Sequence, residues 1–379
     1  MRVAFYAPLK PPGHPVPSGD RRVGRALIRA LALAGYETTV ASRLRSWEGA
    51  GNAVLQARIE RLGRETARRL IRRYRMHPES RPDLWLTYHL YHKAPDWLGP
   101  TVAEALAIPY VVAEPCHAPK QASGPWQNGH AAASTAIACA DALIALNSDD
   151  RQGLLALTPD PRRIVALAPF IDTAPYALAG SCRESLAARH GVAVRQPWLL
   201  TVAMMREGAK LRSYRVLSEA LAQLGDLEWQ LLIAGDGPAR GEVERLFARF
   251  MPGRVFFLGE VGARALPSLY ASADLYLWPA IEEAFGMALL EAQAAALPVI
   301  AGRERGVPDI VRDGETGHLT RPGDASSFAD AVSKTLRDAR SWRVMGERAR
   351  RTMLAEHDIT LAAKRLDGIL RAVVTERCR

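Results

Sequence analysis

Short apolar runs alternate with amphipathic helical stretches along most of this 379-residue chain. At the start, residues 3–6 are apolar, a Pro- and Gly-rich segment follows at 8–19, residues 20–34 have helical spacing, and 37–41 are again strand-like. A strand, a glycine-containing loop, a helix and a second strand in this order are typical of a doubly wound α/β domain. The pattern therefore predicts the α/β fold class.

The same order of elements starts again in the second half of the chain. Further strand candidates lie at residues 84–87, 110–113 and 142–146, and then at 198–203, 229–234, 255–258, 275–278 and 298–301. The stretch between these two sets, near residues 172–197, is less regular. We predict one domain at residues 1–175, a second at 176–360 and a C-terminal helix at 361–379 that crosses back to the first domain.

The excess positive charge lies in the first half of the chain. The formal net charge is +10, with 25 basic and 16 acidic residues in 1–200 against 25 and 24 in 201–379. A basic half attracts an anion, which could be nucleic acid, a membrane surface or a phosphorylated substrate. The composition, with 48% hydrophobic and 24% charged residues, excludes an intrinsically disordered chain.

The cysteines and the absence of long apolar runs indicate the compartment. The four cysteines are widely spaced and include no CxxC pair, which argues against a zinc cluster or a disulfide framework. No window approaches the roughly 18 apolar residues of a transmembrane helix, and the N-terminal residues lack the pattern of a secretory signal. We expect a cytoplasmic protein, with peripheral contact to the inner face of the cell membrane left open.

An arginine-rich stretch at residues 55–75 carries eight arginines and two glutamates. The apolar side chains that share a predicted helix face are Leu55, Ile59, Leu62, Thr66, Leu70 and Tyr74. This helix is either an ordinary surface helix with solvated arginines or a surface that approaches anionic lipid or an anionic acceptor. Nucleic-acid binding is not expected, because no aromatic residues interleave the arginines and no nucleic-acid motif is present.

Two carboxylates flank a predicted helix start. Glu283 precedes Gly286, and the helix that opens there carries Glu291 about two turns along. Glycine lets a ligand approach the backbone closely, and free amides at a helix N-terminus bind anions. The arrangement suits a ligand with hydroxyls at both ends and phosphates between them, such as a nucleotide-sugar. An ordinary helix with acidic residues near its start is the alternative.

The surrounding segment resembles the E-x7-E signature of the large retaining family-4 (group 1) nucleotide-sugar glycosyltransferases. The matching motifs are LLIAGDGP (231–238), VFFLGEV (255–261), LYASADLYLWPA (269–280), EAQAAALPVIA (291–301) and GVPDIVRDGETGHL (306–319). One departure is Ala296, where the family usually has glycine. In order and spacing the motifs cover most of residues 198–360.

The resemblance implies GT-B architecture, in which two Rossmann-like doubly wound domains face each other across a cleft. The second domain would bind the donor, with Glu283 on donor-sugar hydroxyls and Glu291 on the ribose. The other donor-site positions carried over are Phe285, Gly286, Met287 and Ala288 at the phosphates, and Gly235, Glu260 and Val261 around the nucleotide.

The family also places an arginine and a lysine after the first strand of the donor domain. Lys210 fits the lysine position. Met204 stands at the arginine position, so Arg206 is the natural substitute and Arg212 a second candidate. These cations would stabilise the charge that develops on the departing diphosphate.

In the first domain the resemblance implies a glycine loop that approaches the donor phosphate. Gly19 is the predicted residue, and Gly13 is the alternative. Many members also carry a histidine near the reacting sugar, after the strand at 110–113. His117 is the nearest histidine in this chain.

Glu114 occupies the end of that strand and is an alternative polar group for the reacting sugar. His89 and His92 lie at another strand end and are candidates for the acceptor side. The sequence does not decide between these residues and His117.

The expected function is that of a retaining glycosyltransferase that moves a sugar from a nucleotide-diphosphate sugar to a hydroxyl of a lipid-linked, polysaccharide or small-molecule acceptor. No Asp-rich metal motif is placed between the phosphates, so we expect metal independence and no cofactor beyond the donor substrate. An epimerase or sugar phosphorylase of the same architecture is an alternative. A non-catalytic nucleotide-sugar binding module is another, supported only by Met204.

Overall fold

The structure is a computed structural model that describes residues 1–16, 18–225 and 227–377. It divides into two compact units, which we call unit 1 (Met1–Ala168 with Ile359–Arg379) and unit 2 (Pro169–Asp358). The sequence-based boundary at residues 175 and 176 lies beyond this division, because the last strand of unit 1 already ends at Ala166. Within the predicted segment 361–379, the last two residues lie outside the described part of the chain.

Unit 1 is built on a six-stranded sheet with the order β2-β1-β3-β4-β5-β6. Its strands are β1 (Arg2–Tyr6), β2 (Glu37–Val40), β3 (Leu84–Leu90), β4 (Tyr110–Pro115), β5 (Ala142–Ala145) and β6 (Ile164–Ala166). All neighbouring strands are parallel. Parallel neighbours require crossover connections, which the intervening helices supply.

The helices of unit 1 are α1 (Gly19–Leu33), α2 (Ala53–Met76), α3 (Gly99–Leu106), α4 (Gln127–Cys139), α5 (Asp150–Leu155) and the C-terminal α14 (Ile359–Arg377). The Ser18 hydroxyl caps α1 by accepting a hydrogen bond from the Arg21 amide at 3.2 Å. Helix α14 packs against α1, and nearby Tyr36 donates a hydrogen bond to Asp367 at 2.8 Å. No helix in the described ranges is long and apolar enough to cross a membrane.

Unit 2 repeats the plan with a second six-stranded sheet, in the order β12-β11-β10-β7-β8-β9. Its strands are β7 (Trp198–Val202), β8 (Gln230–Ala234), β9 (Val255–Gly259), β10 (Leu275–Trp278), β11 (Val299–Gly302) and β12 (Gly317–Thr320). Its helices are α6 (Ala174–Ala177), α7 (Arg183–His190), α8 (Ala209–Leu221), α9 (Arg240–Phe247), α10 (Leu266–Tyr270), α11 (Met287–Ala294), α12 (Ala325–Leu336) and α13 (Ala339–Glu356).

The central strands of both sheets are buried on both faces. Every residue of β8 and of β10 is buried, as expected for parallel strands covered by helices on each side. This explains why these strands are continuous apolar runs in the sequence. The predicted strands of both halves form. The chain adds β6 and β12, which the apolar pattern did not reveal.

Helix α2 contains the arginine-rich stretch, and only part of its predicted apolar face is buried. Its buried residues are Ile59, Gly63, Ala67, Leu70 and Tyr74, whereas Leu55 and Leu62 are exposed. The small residues decide the orientation: a Cβ placed on Gly63 would lie 2.4 Å from the Cβ of Trp97. Close approach of the α2 backbone to Trp97 thus replaces the contact predicted for the leucines.

The Ala296→Gly substitution should stabilise unit 2. Ala296 lies in the turn between α11 and β11 with a φ of +59°, a conformation that costs a non-glycine residue about 1–2 kcal/mol. Glycine adopts it freely but loses more backbone entropy on folding, so the expected net gain in unfolding free energy is roughly 0.5 kcal/mol. Denaturant unfolding of the purified variant measures the change.

The neighbouring Ala295→Gly variant is the matched control, because Ala295 has an ordinary φ of −84°. That substitution should lower the unfolding free energy. An equal loss in both variants would contradict the assignment of strain to Ala296.

Candidate functional site

The predicted donor residues of unit 2 lie in loops that follow the strands β7, β8, β9 and β10. The carboxyl ends of parallel strands share one edge of the sheet, and ligands of open α/β sheets bind outside that edge. The loop after β7 leads to Lys210 at the start of α8, and the loop after β10 leads to Glu283. The topology therefore brings together residues that are far apart in the sequence.

Lys210 and Glu283 form an ion pair between the Lys210 Nζ and a carboxylate oxygen, Oε2, of Glu283. The Trp278 indole donates a hydrogen bond to the same oxygen at 3.1 Å. The Lys210 ammonium also lies 5.1 Å from the centre of the Trp278 ring, within cation–π range. Both charged side chains are largely enclosed, with 24% and 18% of their surface exposed.

The N-terminus of α11 follows Glu283 closely in the chain. Helix α11 begins at Met287, and no side chain caps it. Gly286 has a φ of +82°, and a Cβ there would lie 2.9 Å from Leu289 and 3.3 Å from the Glu283 side chain. Amides of a first helical turn lack intrahelical acceptors and attract anions. Phe285 is buried, while Met287 and Ala288 are partly exposed.

Glu291 is enclosed in unit 2 and is fully buried. Its Oε2 accepts a hydrogen bond of 2.9 Å from the Tyr270 hydroxyl. The role predicted for Glu291 stays a prediction.

The remaining donor-side residues differ in their surroundings. Arg206 is exposed and forms no ion pair within the described ranges, while Met204 is partly buried. Gly235 follows β8 with a φ of +147°, and a Cβ there would lie 1.9 Å from the Ala203 carbonyl oxygen. Only glycine permits this approach between the loops after β7 and β8.

Two predicted residues follow β9. Glu260 is exposed and Val261 is partly buried. Both lie after the same edge of the sheet as Gly235, whose amide donates to the Gly259 carbonyl at 2.7 Å. Arg212, the second candidate for the phosphates, pairs with Glu282 at 2.7 Å.

A cluster of titratable groups lies at the corresponding edge of unit 1. The Nδ1 of His89 is 3.2 Å from Asp20 Oδ1 and 3.7 Å from Glu114 Oε1. Glu114 is only 7% exposed, and its second oxygen, Oε2, is buried with no hydrogen-bond partner. The structure thus brings together His89 and Glu114, two of the residues left as alternatives by the sequence.

Positive φ angles mark the same strand ends. His89 has a φ of +56° and Glu114 of +54°, and in unit 2 Ala280 and Glu282 have +59° and +52° after β10. Each such residue costs of order 1–3 kcal/mol and persists where the surroundings impose it, often at functional sites. The strained backbone therefore coincides with the candidate site in both units.

The charges in the unit 1 cluster stabilise one another. Burial lowers the pKa of His89, but the carboxylates of Glu114 and Asp20 outweigh it and raise that pKa to about 9. Burial also works against ionisation of Asp20, yet the hydrogen bond from His89 keeps the pKa of Asp20 below its usual value. Burial raises the pKa of Glu114, and the charge of His89 opposes that rise. His89 is therefore an imidazolium at neutral pH.

The other unit 1 predictions lie apart from this cluster or beside it. Gly19 is the first residue of α1, directly before Asp20, and a Cβ there would meet nothing within 4 Å. His117 Nδ1 lies 3.2 Å from the Gly153 carbonyl. The ring of His92 packs edge-on against Trp126. These two histidines belong to a different group of side chains.

Sequence reasoning missed Asp20, Trp278 and Tyr270. Asp20 could have been noticed as the acidic residue in the first turn of α1, directly after Gly19. Trp278 ends an apolar strand, where it reads as a core residue. Its second role, donating a hydrogen bond from the indole N–H to Glu283, is visible only in the structure. No group of three or more metal-ligating side chains suited to an ion is found among the described residues.

Two Rossmann-like parallel α/β units, one of which carries the Lys210–Glu283 pair, agree with a glycosyltransferase of the GT-B class. A family model described as "Glycosyl transferases group 1" matches residues 196–338, which lie within unit 2. Most of unit 2 is thus similar to the group 1 glycosyltransferases, and the resemblance found in the sequence motifs is confirmed.

Curated relatives agree over part of the chain. An N-acetyl-alpha-D-glucosaminyl L-malate synthase of Bacillus anthracis is 32% identical over 43% of this chain and 42% of its own length. An alpha-D-kanosaminyltransferase of Streptomyces kanamyceticus is 31% identical over 50% of this chain and 49% of its own length. The chain thus spans less than half of the length of each of these two relatives.

Solved structures agree over nearly the whole chain. Sucrose-phosphate synthase from Thermosynechococcus elongatus has a TM-score of 0.76 at 20% identity and covers 99% of this chain and 100% of its own. The Anabaena protein HepE in complex with UDP has a TM-score of 0.76 at 17% identity and covers 98% and 100%. At these identities the likeness concerns the fold, and the predicted α/β fold class of GT-B type is confirmed.

The His89→Gln substitution should destabilise unit 1 in a pH-dependent way. Because the folded-state pKa of His89, about 9, lies above the unfolded value of about 6.5, its stabilising effect is complete below about pH 6.5 and is lost as the pH rises towards 9. The difference in unfolding free energy between wild type and variant should therefore shrink between pH 6 and pH 9.5.

The exposed His77 in the same unit provides the control. Its substitution by glutamine should leave the unfolding free energy nearly unchanged, because an exposed ion pair such as that with Glu79 contributes little. A His89→Gln difference that stayed constant across this pH range would contradict the charged cluster.

Proposed function

We propose that the protein is a retaining glycosyltransferase of family 4 that moves a sugar from a nucleotide-diphosphate sugar to an acceptor hydroxyl. The observation that carries the proposal is the Lys210–Glu283 pair beside the uncapped N-terminus of α11. It lies in the part of the chain that matches the group 1 family. Retention of the anomeric configuration rests on the resemblance of residues 283–291 to the E-x7-E signature.

The proposed donor site separates its charges by function. Lys210 and the first amides of α11 bind the diphosphate, with Arg206 as a second cation from the exposed loop after β7. Glu283 accepts hydrogen bonds from donor-sugar hydroxyls, and Glu291 serves the ribose. As the glycosidic bond breaks, negative charge develops on the departing diphosphate, and preorganised donors stabilise that charge without costly reorganisation.

In the ligand-free protein Lys210 and Glu283 neutralise each other. This explains how a cation and a carboxylate are both kept half-enclosed, since a buried unpaired charge is costly. On donor binding the diphosphate replaces Glu283 as the partner of Lys210, and the sugar hydroxyls replace Lys210 as the partner of Glu283. The exchange leaves neither charge without a partner.

The donor is a nucleoside diphosphate sugar. One structure with the same fold, Anabaena HepE, is described in complex with UDP and in complex with UDP-glucose. This supports a nucleotide-sugar as the class of donor. We propose metal-independent transfer, because Lys210, Arg206 and α11 supply positive potential at the diphosphate.

Unit 1 is proposed to serve the acceptor. The buried Oε2 of Glu114 has no hydrogen-bond partner and can accept one from a hydroxyl. His89 holds this carboxylate in place from the other oxygen, at 3.7 Å. The Gly19 loop, which leads into Asp20 of the same cluster, is proposed to approach the donor phosphate.

Helix α2 supports a further part of the proposal, peripheral contact with an anionic membrane from the cytoplasmic side. Beside its exposed arginines lie Val54, Leu55, Leu62 and Met76, which are exposed by 82%, 43%, 40% and 63%. Arginines next to exposed apolar side chains suit the interface of an anionic bilayer.

Replacing Lys210 or Glu283 by alanine should abolish most transfer without unfolding the protein. Loss of one preorganised donor at a developing charge lowers kcat roughly 10²–10³-fold. Turnover of radiolabelled or UV-detected nucleotide-sugars measures the loss, and circular dichroism checks the fold.

Arg215→Ala is the matched control on the same helix. Arg215 pairs with Glu242 and has no proposed role in the donor site, so its substitution should leave turnover near that of the wild type. Full activity of the Lys210→Ala or the Glu283→Ala variant would exclude the proposed site.

Removing three arginines of α2 should weaken binding to anionic vesicles. Arg61, Arg68 and Arg72 are exposed, and each is worth about 1 kcal/mol near an anionic surface. The triple alanine variant should therefore bind phosphatidylserine-containing vesicles roughly 100-fold more weakly than the wild type.

A triple variant of unit 2, with Arg340, Arg343 and Arg348 of α13 replaced by alanine, removes the same charge elsewhere. Co-sedimentation with vesicles should show it binding like the wild type. Equal loss in both triple variants, or no vesicle binding by the wild type, would contradict a membrane-facing α2.

A further inference from the structure

A second group of basic side chains lies in unit 1, apart from the His89–Glu114 pair. We call it the basic cluster: His92, Lys93, His117, Lys120 and His130. The first two follow β3, the next two follow β4, and His130 lies in the first turns of α4. The loops after two neighbouring strands and one helix N-terminus thus converge on it.

Ring contacts hold the cluster together. The rings of His117 and His130 lie 5.2 Å apart between their centres. Trp126, directly before α4, packs edge-on against His92 with ring centres 5.9 Å apart. The Lys93 ammonium lies 4.3 Å from the centre of the Trp126 ring.

The cluster lacks counter-ions. None of its five members forms an ion pair within the ranges that the structure describes. Burial, and then the charges of Lys93, His130 and Lys120, lower the pKa of His92 to about 4. Burial lowers the pKa of His117 too, with a further contribution from His130.

The acidic residues near the cluster have other partners. The Glu48 carboxylate accepts hydrogen bonds from the backbone amides of Ala50, Gly51 and Asn52, at 2.7–3.0 Å. Glu60 pairs with Arg64 at 2.7 Å. Neither carboxylate therefore forms an ion pair with a member of the cluster.

Two imidazole nitrogens in the cluster are unused. His92 Nδ1 and His130 Nε2 are both buried without a hydrogen-bond partner. The N-terminus of α4, a helix of 13 residues, has no side-chain cap. Unused ring nitrogens, lysines without counter-ions and an uncapped helix start together suit an anion. A metal ion is disfavoured, because the lysines repel it and supply no ligand at neutral pH.

We propose that the basic cluster binds an anionic group, a phosphate or a carboxylate, of the acceptor. The proposal rests on the proposed function and names the class of acceptor. Tyr91 connects the two groups of unit 1, since its ring lies 5.4 Å from that of His89 and 5.1 Å from that of His92. A compact acceptor can therefore place a hydroxyl at Glu114 and its anionic group at the cluster.

Inorganic phosphate is the probe for the cluster. Calorimetric titration of the wild-type protein, at constant ionic strength with chloride as the competing anion, should show saturable binding. The Lys93→Gln/Lys120→Gln double variant should bind phosphate roughly tenfold or more weakly, because two charge-assisted contacts are lost. Lys364→Gln, at an exposed position of α14, is the matched control and should bind like the wild type.

A second arm repeats the titration with saturating UDP. The proposal predicts that phosphate still binds, because the donor diphosphate occupies unit 2. Loss of phosphate binding in the presence of UDP would assign the cluster to the donor diphosphate and overturn the acceptor assignment. Equal phosphate affinity of the wild type and the double variant would overturn the site itself.

The outcome is separable from that of the proposed function. Phosphate binding at the cluster without transfer from any nucleotide-sugar would leave the cluster standing and contradict the glycosyltransferase proposal. Sugar transfer by a protein whose basic cluster does not bind phosphate would support the glycosyltransferase proposal and contradict the proposed anion site.

Discussion

In a parallel sheet every strand ends at the same edge, and this constraint determines where the candidate site residues of both units lie. Each crossover helix returns the chain to the opposite edge, so the loops that follow successive strands meet at one place. In unit 2 this brings Lys210, from the loop after β7, onto Glu283, from the loop after β10. In unit 1 it brings together Asp20, from the helix that follows β1, and His89 and Glu114, from the carboxyl ends of β3 and β4. The members of each group are far apart in the sequence.

In the two candidate sites the charged side chains form ion pairs, whereas the side chains of the basic cluster form none among the described residues. Lys210 pairs with Glu283, and His89 lies between two carboxylates that keep it charged at neutral pH. Such pairs allow ionised groups to be kept in enclosed positions without the cost of an isolated charge. No member of the basic cluster forms an ion pair among the residues that the structure describes. Lys93 and Lys120 thereby give part of the positive charge of the first half of the sequence a specific location, besides the exposed arginines of α2.

The sequence predicted the fold well and the site in part. Buried parallel strands are apolar runs, so β1, β8 and β10 were visible. Strand β6 was not, because it has only three residues, and β12 was not, because it is partly polar. The face of α2 was only partly predicted, because Gly63, with little hydrophobicity of its own, packs closely against Trp97, whereas Leu55 and Leu62 are exposed. The family resemblance pointed to Glu283 and Glu291 through the E-x7-E spacing, and to Lys210 through the basic pair that follows the first strand of the donor domain. Asp20 escaped notice because its partners come from distant strands, which no local pattern records.

The central claim is that Lys210 and Glu283 neutralise each other in the ligand-free protein, and that the donor diphosphate replaces Glu283 as the partner of Lys210. A crystal structure of the protein with UDP, or with GDP if UDP does not bind, tests this directly. The account predicts diphosphate oxygens about 3 Å from Lys210 Nζ and from an amide of Met287 or Ala288, with Glu283 released from Lys210. A nucleotide bound elsewhere, with Lys210 still paired to Glu283, would contradict it.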